Sequence, residues 1–393
     1  MAATDTTDER IDPQEPLEGP VEERAIPLEL FFDLVFVFAF TQVTGLMSAN
    51  PTWEGLGQGM LVLAAVWWAW GAYSWLTNEI DSDEDDARLA LFAAMGSMLI
   101  AALAVPGAFE DDGVLFGVAY FLVRALHIVV FAYASPDVSV TLAVRRLART
   151  AIPAPALLIL AGALDGTAQA VLWCVALAID YSGPYLFGVA GYQVSPGHFA
   201  ERYGLIVIIA LGESIVAIGI GAAGIPLDAG VVAAALAGIV IAAALWWAYF
   251  DVVAPVAERK LREARGDARA RLARDSYSYL HLPMIAGIVL FALGVKKTIG
   301  DVDEPLKTVP AIALCGGVAL YLLAQIAFRL RNVGSLNRPR LVAAAACLAL
   351  IPVAVEVEAL AAAAAIAAIC TLLVTYEAIR YREARARVRN ARA

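Results

Sequence analysis

Apolar stretches of bilayer length recur along almost the whole chain, separated by short polar breaks. A helix needs about 20 apolar residues to cross a hydrocarbon core. Twelve segments reach or approach that length: 28–49, 57–77, 88–105, 113–134, 150–164, 168–190, 203–222, 229–251, 277–294, 309–329, 340–354 and 358–378. The fifth and eleventh are short and carry Pro153, Pro155 and Pro352, so tilted, broken or re-entrant passages are expected there. The expected fold is all-α: a polytopic membrane helix bundle of about twelve transmembrane helices.

The pattern also repeats. Glu29-x-Phe31 opens one apolar helix and Glu201-x-Tyr203 opens another. Trp67-Trp68-Ala69-Trp70 matches Trp246-Trp247-Ala248-Tyr249, and Tyr120-x3-Arg124 matches Tyr321-x3-Gln325. Asp180-Tyr181 near the end of the sixth segment sits where Tyr376-Glu377 ends the twelfth. Two parallel six-helix repeats, 26–192 and 193–380, are therefore expected, as in transporters built by duplication about an axis along the membrane normal. A basic cytoplasmic loop over 255–275 interrupts the second. Residues 1–25 read as a disordered acidic cytoplasmic tail and 381–393 as a basic cytoplasmic tail.

Composition agrees with a membrane protein. Of 393 residues, 61% are hydrophobic and 17% charged, with mean hydropathy +0.72, where soluble chains carry about 25% charged residues. Arg124 lies inside a segment, and Lys296, Lys297 and Lys307 lie in the loop after the ninth. The other lysines and arginines fall in the tails, the even-numbered loops or the adjoining segment ends. Positive loops stay inside, so both termini are expected in the cytoplasm. The basic runs sit beside apolar spans without a reading module, which argues against nucleic acid. Partners are then the lipid bilayer and a proton, cation or small solute. The four cysteines fall in apolar segments with no zinc or redox spacing.

Acids inside apolar segments carry the candidate chemistry. Each charge centred in lipid costs about 2.5–3.5 kcal/mol on insertion scales, so such residues face a bundle interior or water. Glu29 and Asp33 are four apart and share a helical face at the start of the first segment. Asp180 lies within the sixth and Glu213 within the seventh. Arg124 is the clear counter-charge, with Asp33 or Asp180 as its candidate partner, and Tyr120 and His127 share its face. Arg202 and Glu213, eleven apart, share a face, with Glu213 about 16 Å deeper at about 1.5 Å per residue. Glu201 and Ser214 flank that pair. His127 and His281 are either proton shuttles or packed hydrogen-bonding residues. The Trp67–Trp75 cluster is either an interfacial belt with packing or an aromatic wall for a substrate.

Other motifs fail on inspection. Asp81–Asp86 begins like a calcium loop, but Asp86 stands where glycine is needed and Phe92 where glutamate is. Gly219-x-Gly221-x-x-Gly224 has no preceding strand. Glu258–Asp275 reads as a basic helix with Glu258 and Arg262 at i,i+4 spacing. No enzyme signature, cofactor motif or metal cluster is expected from the pattern.

Two stretches carry a family resemblance: Glu29-Leu30-Phe31-Phe32-Asp33-Leu34-Val35-Phe36, and His198-Phe199-Ala200-Glu201-Arg202-Tyr203-Gly204 with Leu211-Gly212-Glu213-Ser214. Over about residues 25–380 the chain resembles the bacterial low temperature requirement protein A (LtrA) family. That resemblance implies a multi-pass bacterial membrane protein and brings no catalytic role. The two-unit pattern more loosely resembles lysosomal potassium/proton channels, although Tyr203-Gly204-Leu205 lacks their second Asp. The expectation is a transporter or channel for protons or cations with an acidic core, possibly coupled to a small solute. The alternative is a non-transporting scaffold or sensor in cold or stress adaptation whose ion pairs are structural.

Overall fold

Pro27 opens the first helix where a missing N–H costs nothing. Glu29 reaches back to accept the Ile26 N–H at 3.1 Å. From there a computed structural model describes residues 25–79, 85–133 and 138–382. The expected acidic tail, most of the Asp81–Asp86 loop and nearly all of the basic tail lie outside the described residues.

Helices in chain order are α1 (Pro27–Ala49), α2 (Trp53–Leu76), α3 (Asp85–Ala104), α4 (Gly113–Tyr133), α5 (Val138–Ala151), α6 (Pro153–Ala161), α7 (Gly166–Leu186) and α8 (Pro196–Ala222). Then come α9 (Ala229–Phe250), α10 (Val253–Glu263), α11 (Gly266–Leu272), α12 (His281–Gly300), α13 (Thr308–Ala311), α14 (Gly317–Val333), α15 (Arg338–Ala349), α16 (Ile351–Ala354) and α17 (Ala359–Arg380). Side-chain caps fix several starts. Thr52 accepts from the Gly55 N–H at 3.2 Å, and Asp228 accepts from the Val231 N–H at 2.9 Å.

Nine helices among the described residues are long and apolar enough to cross a membrane. The other three expected segments are also helical, but short or polar. The fifth resolves into α5 and the nine-residue α6 that Pro153 begins, and the eleventh into α15 and the four-residue α16 around Pro352. The sixth, α7, carries Gln169, Asp180 and Pro184. The basic stretch after α9 folds as α10 and α11, parted at Gly266 with φ +51°. Glu258 and Arg262 pair at 2.8 Å there.

Two wide π turns interrupt the pattern, at Ala273–Tyr279 before α12 and at Ile312–Gly316 before α14. Neither has a signal in apolar spacing. Small residues set the closest contact between α12 and α14: a methyl on Gly287 would lie 2.7 Å from the Gly317 carbonyl oxygen.

α1, α8 and α12 form the middle of the molecule. α8 packs on α1, α9, α10 and α12, and α12 packs on α1, α2, α8, α9, α14 and α17. On one side α3 packs on α4, α4 on α6 and α6 on α7; on the other α12 packs on α14, α14 on α15 and α15 on α17. The polar residues of interest lie on the surfaces that α1, α2, α4, α7 and α8 turn toward one another.

Candidate functional site

Where α1 and α8 begin and α2 ends, four ionisable groups meet. Arg202 lies 2.7 Å from Glu29 Oε1 and 2.7 Å from Asp33 Oδ1. His198 Nε2 lies 2.8 Å from Glu29 Oε2. Trp70 Nε1 donates to Asp33 at 2.9 Å, and Arg202 donates to Thr77 Oγ1 at 3.1 Å. The i,i+4 spacing of Glu29 and Asp33 turns both carboxylates to one guanidinium, and His198 stands four residues before Arg202 on the same face of α8. All four are buried. With a neutral imidazole the cluster carries one uncompensated negative charge, and one added proton neutralises it. Glu201 stays outside, exposed, and accepts the Ala25 N–H at 3.0 Å.

A second pair joins α4 to α7. Arg124 donates to Asp180 Oδ1 at 2.8 Å, and both side chains are almost wholly buried. Tyr120 donates to the Ala65 carbonyl at 3.0 Å and Tyr73 to the Val123 carbonyl at 2.9 Å, which ties α4 to α2. His127 packs between the rings of Tyr73 and Phe131. Arg124 Nε and Nη1 have no hydrogen-bond acceptor among the described residues. Arg124 and His127 line a cleft that Arg146 of α5 and Arg274 of the first π turn also line.

Glu213 lies further along α8. Its side chain is 1% exposed and accepts from Thr41 Oγ1 at 2.5 Å, with Thr44 as a further hydroxyl partner. Among the described ion pairs none involves Glu213. Ser214 does not join it, and donates instead to the Leu211 carbonyl of its own helix.

The structure therefore corrects one expectation. Arg124 does not face three acids alone. Arg202 takes Asp33 and Glu29, Arg124 takes Asp180, and the deep acids divide into three separate groups. The reason is that α1 and α8 cross, bringing together residues 169 apart that no spacing rule links. His198, Thr41 and Thr77 were not candidates from the sequence, and Trp70 was one only as part of an aromatic wall. His198 alone had a signal, its i,i+4 placement before Arg202.

The aromatic residues divide as well. Trp67 and Trp70 are buried core rather than belt. Trp67 Nε1 donates to the Ser278 carbonyl and Trp75 Nε1 to the Ser278 hydroxyl, both at 2.8 Å. Ser278 thus fastens α2 to the π turn before α12. Trp246 and Trp247 are 45% and 41% exposed, as a lipid-facing pair would be. His281 is a packed hydrogen-bonding residue, held by Tyr249 Oη at 2.8 Å and the Ser276 carbonyl at 3.1 Å.

Outside the spans, Asn78 and Glu79 at the end of α2 grip the loop before α8. Asn78 donates to the Gln193 carbonyl at 3.0 Å and accepts from the Ser195 N–H at 3.2 Å, and Glu79 accepts from the Gln193 N–H. Burial pushes the Glu79 carboxyl up to about 7, against the opposing effect of the Gln193 N–H.

Comparison with known proteins gives the family. Residues 24–375 match the family described as bacterial low temperature requirement A protein (LtrA). An uncharacterized protein of Rhizobium meliloti (strain 1021) is 29% identical over 306 residues, covering 75% of this chain and 74% of the relative. The chain belongs to the bacterial low temperature requirement A family.

Proposed function

We propose that this family member is a transporter or channel that moves protons, or a cation with them, through a membrane-embedded polar core. One observation carries the reading: Glu213 is a buried acid within α8 that hydroxyls hold, with Lys296 attracting it from a distance and no ion pair described for it. In a low-dielectric interior such a carboxylate must take up a proton or a cation. The Glu29–Asp33–Arg202–His198 cluster supports it, since two carboxylates that share one guanidinium are a second place for a proton. In this reading Glu29, Asp33 and His198 guard the inner mouth. Glu213 holds the ion about 16 Å further along α8, and Arg124 with Asp180 braces the wall.

The reading includes twelve helices in two parallel six-helix units. The first is α1, α2, α3, α4, α5–α6 and α7; the second is α8, α9, α12, α14, α15–α16 and α17. Matching contacts support it. Tyr120 donates to the Ala65 carbonyl of α2, and Tyr321 donates to the Leu245 carbonyl of α9 at 2.9 Å. Arg124 reaches Asp180 of α7 as Arg340, which also donates to Gln325, reaches Glu377 of α17. Both termini are then cytoplasmic, as the loop charges require.

Flux into proteoliposomes, followed with an internal pH reporter, tests the proposal. Parent protein is expected to conduct, and Glu213→Gln is expected to abolish flux while keeping its melting temperature. No flux in well-folded parent protein across a range of cations would end the reading.

A second reading has its own support. Arg202 closes on two acids and Arg124 on a third, so these pairs knit α1 to α8 and α4 to α7 as a scaffold would need. A scaffold or sensor in cold or stress adaptation predicts unfolding of both Asp33→Asn and Glu213→Gln and no flux in the parent.

A further inference from the structure

We propose that the cleft between α2, α4, α5 and α7 binds an amphipathic organic anion. Its oxyanion head, a carboxylate or a phosphate, would lie on Arg124 with Arg146 and Arg274 beside it. Its apolar body would lie against Trp68, Trp75, Phe131 and Phe187.

The charge of the lining points to the occupant. Three guanidinium groups and no carboxylate face the cleft, which encloses ≈ 710 Å³ including its open mouth. Arg274 is offset by Asp275 at 2.7 Å, but the bonds described for Arg146 go to the carbonyls of Leu142 and Ala190. Arg124 is 1% exposed, spends Nη2 on Asp180, and keeps Nε and Nη1 without acceptors. A buried guanidinium with idle N–H groups lacks acceptors, and an oxyanion supplies a charged one. The walls are apolar and largely aromatic, so the rest of the ligand is apolar too.

The cleft at the ends of α9, α14 and α17 gives the contrast. Arg259, Arg329 and Arg340 line it together with the carboxylates of Asp251 and Glu377, and Arg340 bonds Glu377 through Nε at 2.9 Å and Nη2 at 2.8 Å and Gln325 through Nη1. Carboxylates among its arginines make that cleft a poorer match for an anion. The inference goes beyond ion movement and does not depend on it.

Isothermal titration calorimetry on the full chain in a non-ionic detergent tests it. One arm uses 1-naphthoate against neutral 1-naphthalenemethanol; the other uses dioctanoyl phosphatidylglycerol against dioctanoyl phosphatidylcholine. Saturable binding of an anion, at least ten-fold tighter than its neutral or zwitterionic counterpart, is expected in one arm or both. Naphthoate alone identifies a soluble organic anion, and phosphatidylglycerol alone identifies a lipid headgroup. Arg146→Gln is expected to weaken binding about ten-fold. Arg124→Lys keeps the charge beside Asp180 but loses the idle guanidinium N–H donors, and is expected to weaken it further. A hydrated cleft with merely structural arginines is the result that overturns the proposal. It would show as no binding in either arm, equal binding of charged and neutral ligands, or full affinity in both variants. The readout is equilibrium binding, so it fails or succeeds apart from any flux measurement.

Discussion

At Arg124 one guanidinium serves as a brace and as a site wall. Taking an ion pair out of water is expensive, and removing one partner from a buried pair leaves a charge with nothing to answer it, at about 3–5 kcal/mol. Asp180→Asn is therefore expected to cost about that much stability, read by chemical unfolding in detergent. The double variant Asp180→Asn with Arg124→Gln is expected to be less destabilised than the sum of the single ones, because neither charge is then stranded. Additive losses would mean that the pair acts as two independent residues. Glu213 differs in kind. Hydroxyls hold it, so converting it to an amide removes charge without stranding a partner, and its variant is expected to fold. Legibility follows the same division. The acids could be read directly, because a carboxylate in an apolar run is conspicuous. Their partners could be read only in part. Asp180 stood among the candidates for Arg124, but Arg202 reads as a companion of Glu213 until α1 and α8 meet, and Thr41 and Thr44 read as ordinary helix residues.

Among elements, the grip of α2 on the loop before α8 gives a pH prediction. In the unfolded chain Glu79 ionises near its ordinary 4.5, and in the folded chain near 7. The folded state thus holds a proton that the unfolded state gives up between those values. Its stabilising contribution is complete below pH 4.5 and is lost as pH rises through about 7. Glu79 is partly exposed, so solvent screening keeps the effect to about 1 kcal/mol or less. Parent melting temperature is expected to fall over that range more steeply than that of Glu79→Gln, whose amide oxygen still accepts from Gln193. Parallel profiles would remove Glu79 from the account. Helix existence was legible throughout from apolar runs and prolines, including the broken α5–α6 and α15–α16 passages. The two π turns were not, because a wide turn leaves the apolar pattern of its helix nearly unchanged. Nor was the loss of Trp67 and Trp70 to the core. Tryptophan near a segment end signals an interface and a packed wall equally well.

For the whole molecule, alternation of helix direction decides which loops share a side. With twelve alternating spans, the loops after α3 and α12 are expected on one face and the loop after α14 on the other. In a cysteine-free background, Asp111→Cys and Asp303→Cys are expected to react with an impermeant maleimide on intact cells. Leu336→Cys is expected to react only after permeabilisation. The reverse pattern would invert the protein in the membrane, and labelling of all three on intact cells would break the alternation. The wide turn at Ala273–Tyr279 adds something at this scale. It holds one residue more than the α-helical turn it replaces, so absorbing that residue would rotate everything beyond it by about 100°. Ser278 would swing away from Trp67 and Trp75, unlatching α2 from the rod that continues into α12. The surplus residue would then act as a vernier, giving the contact across the centre of the protein click-stops where a hinge would have a continuum.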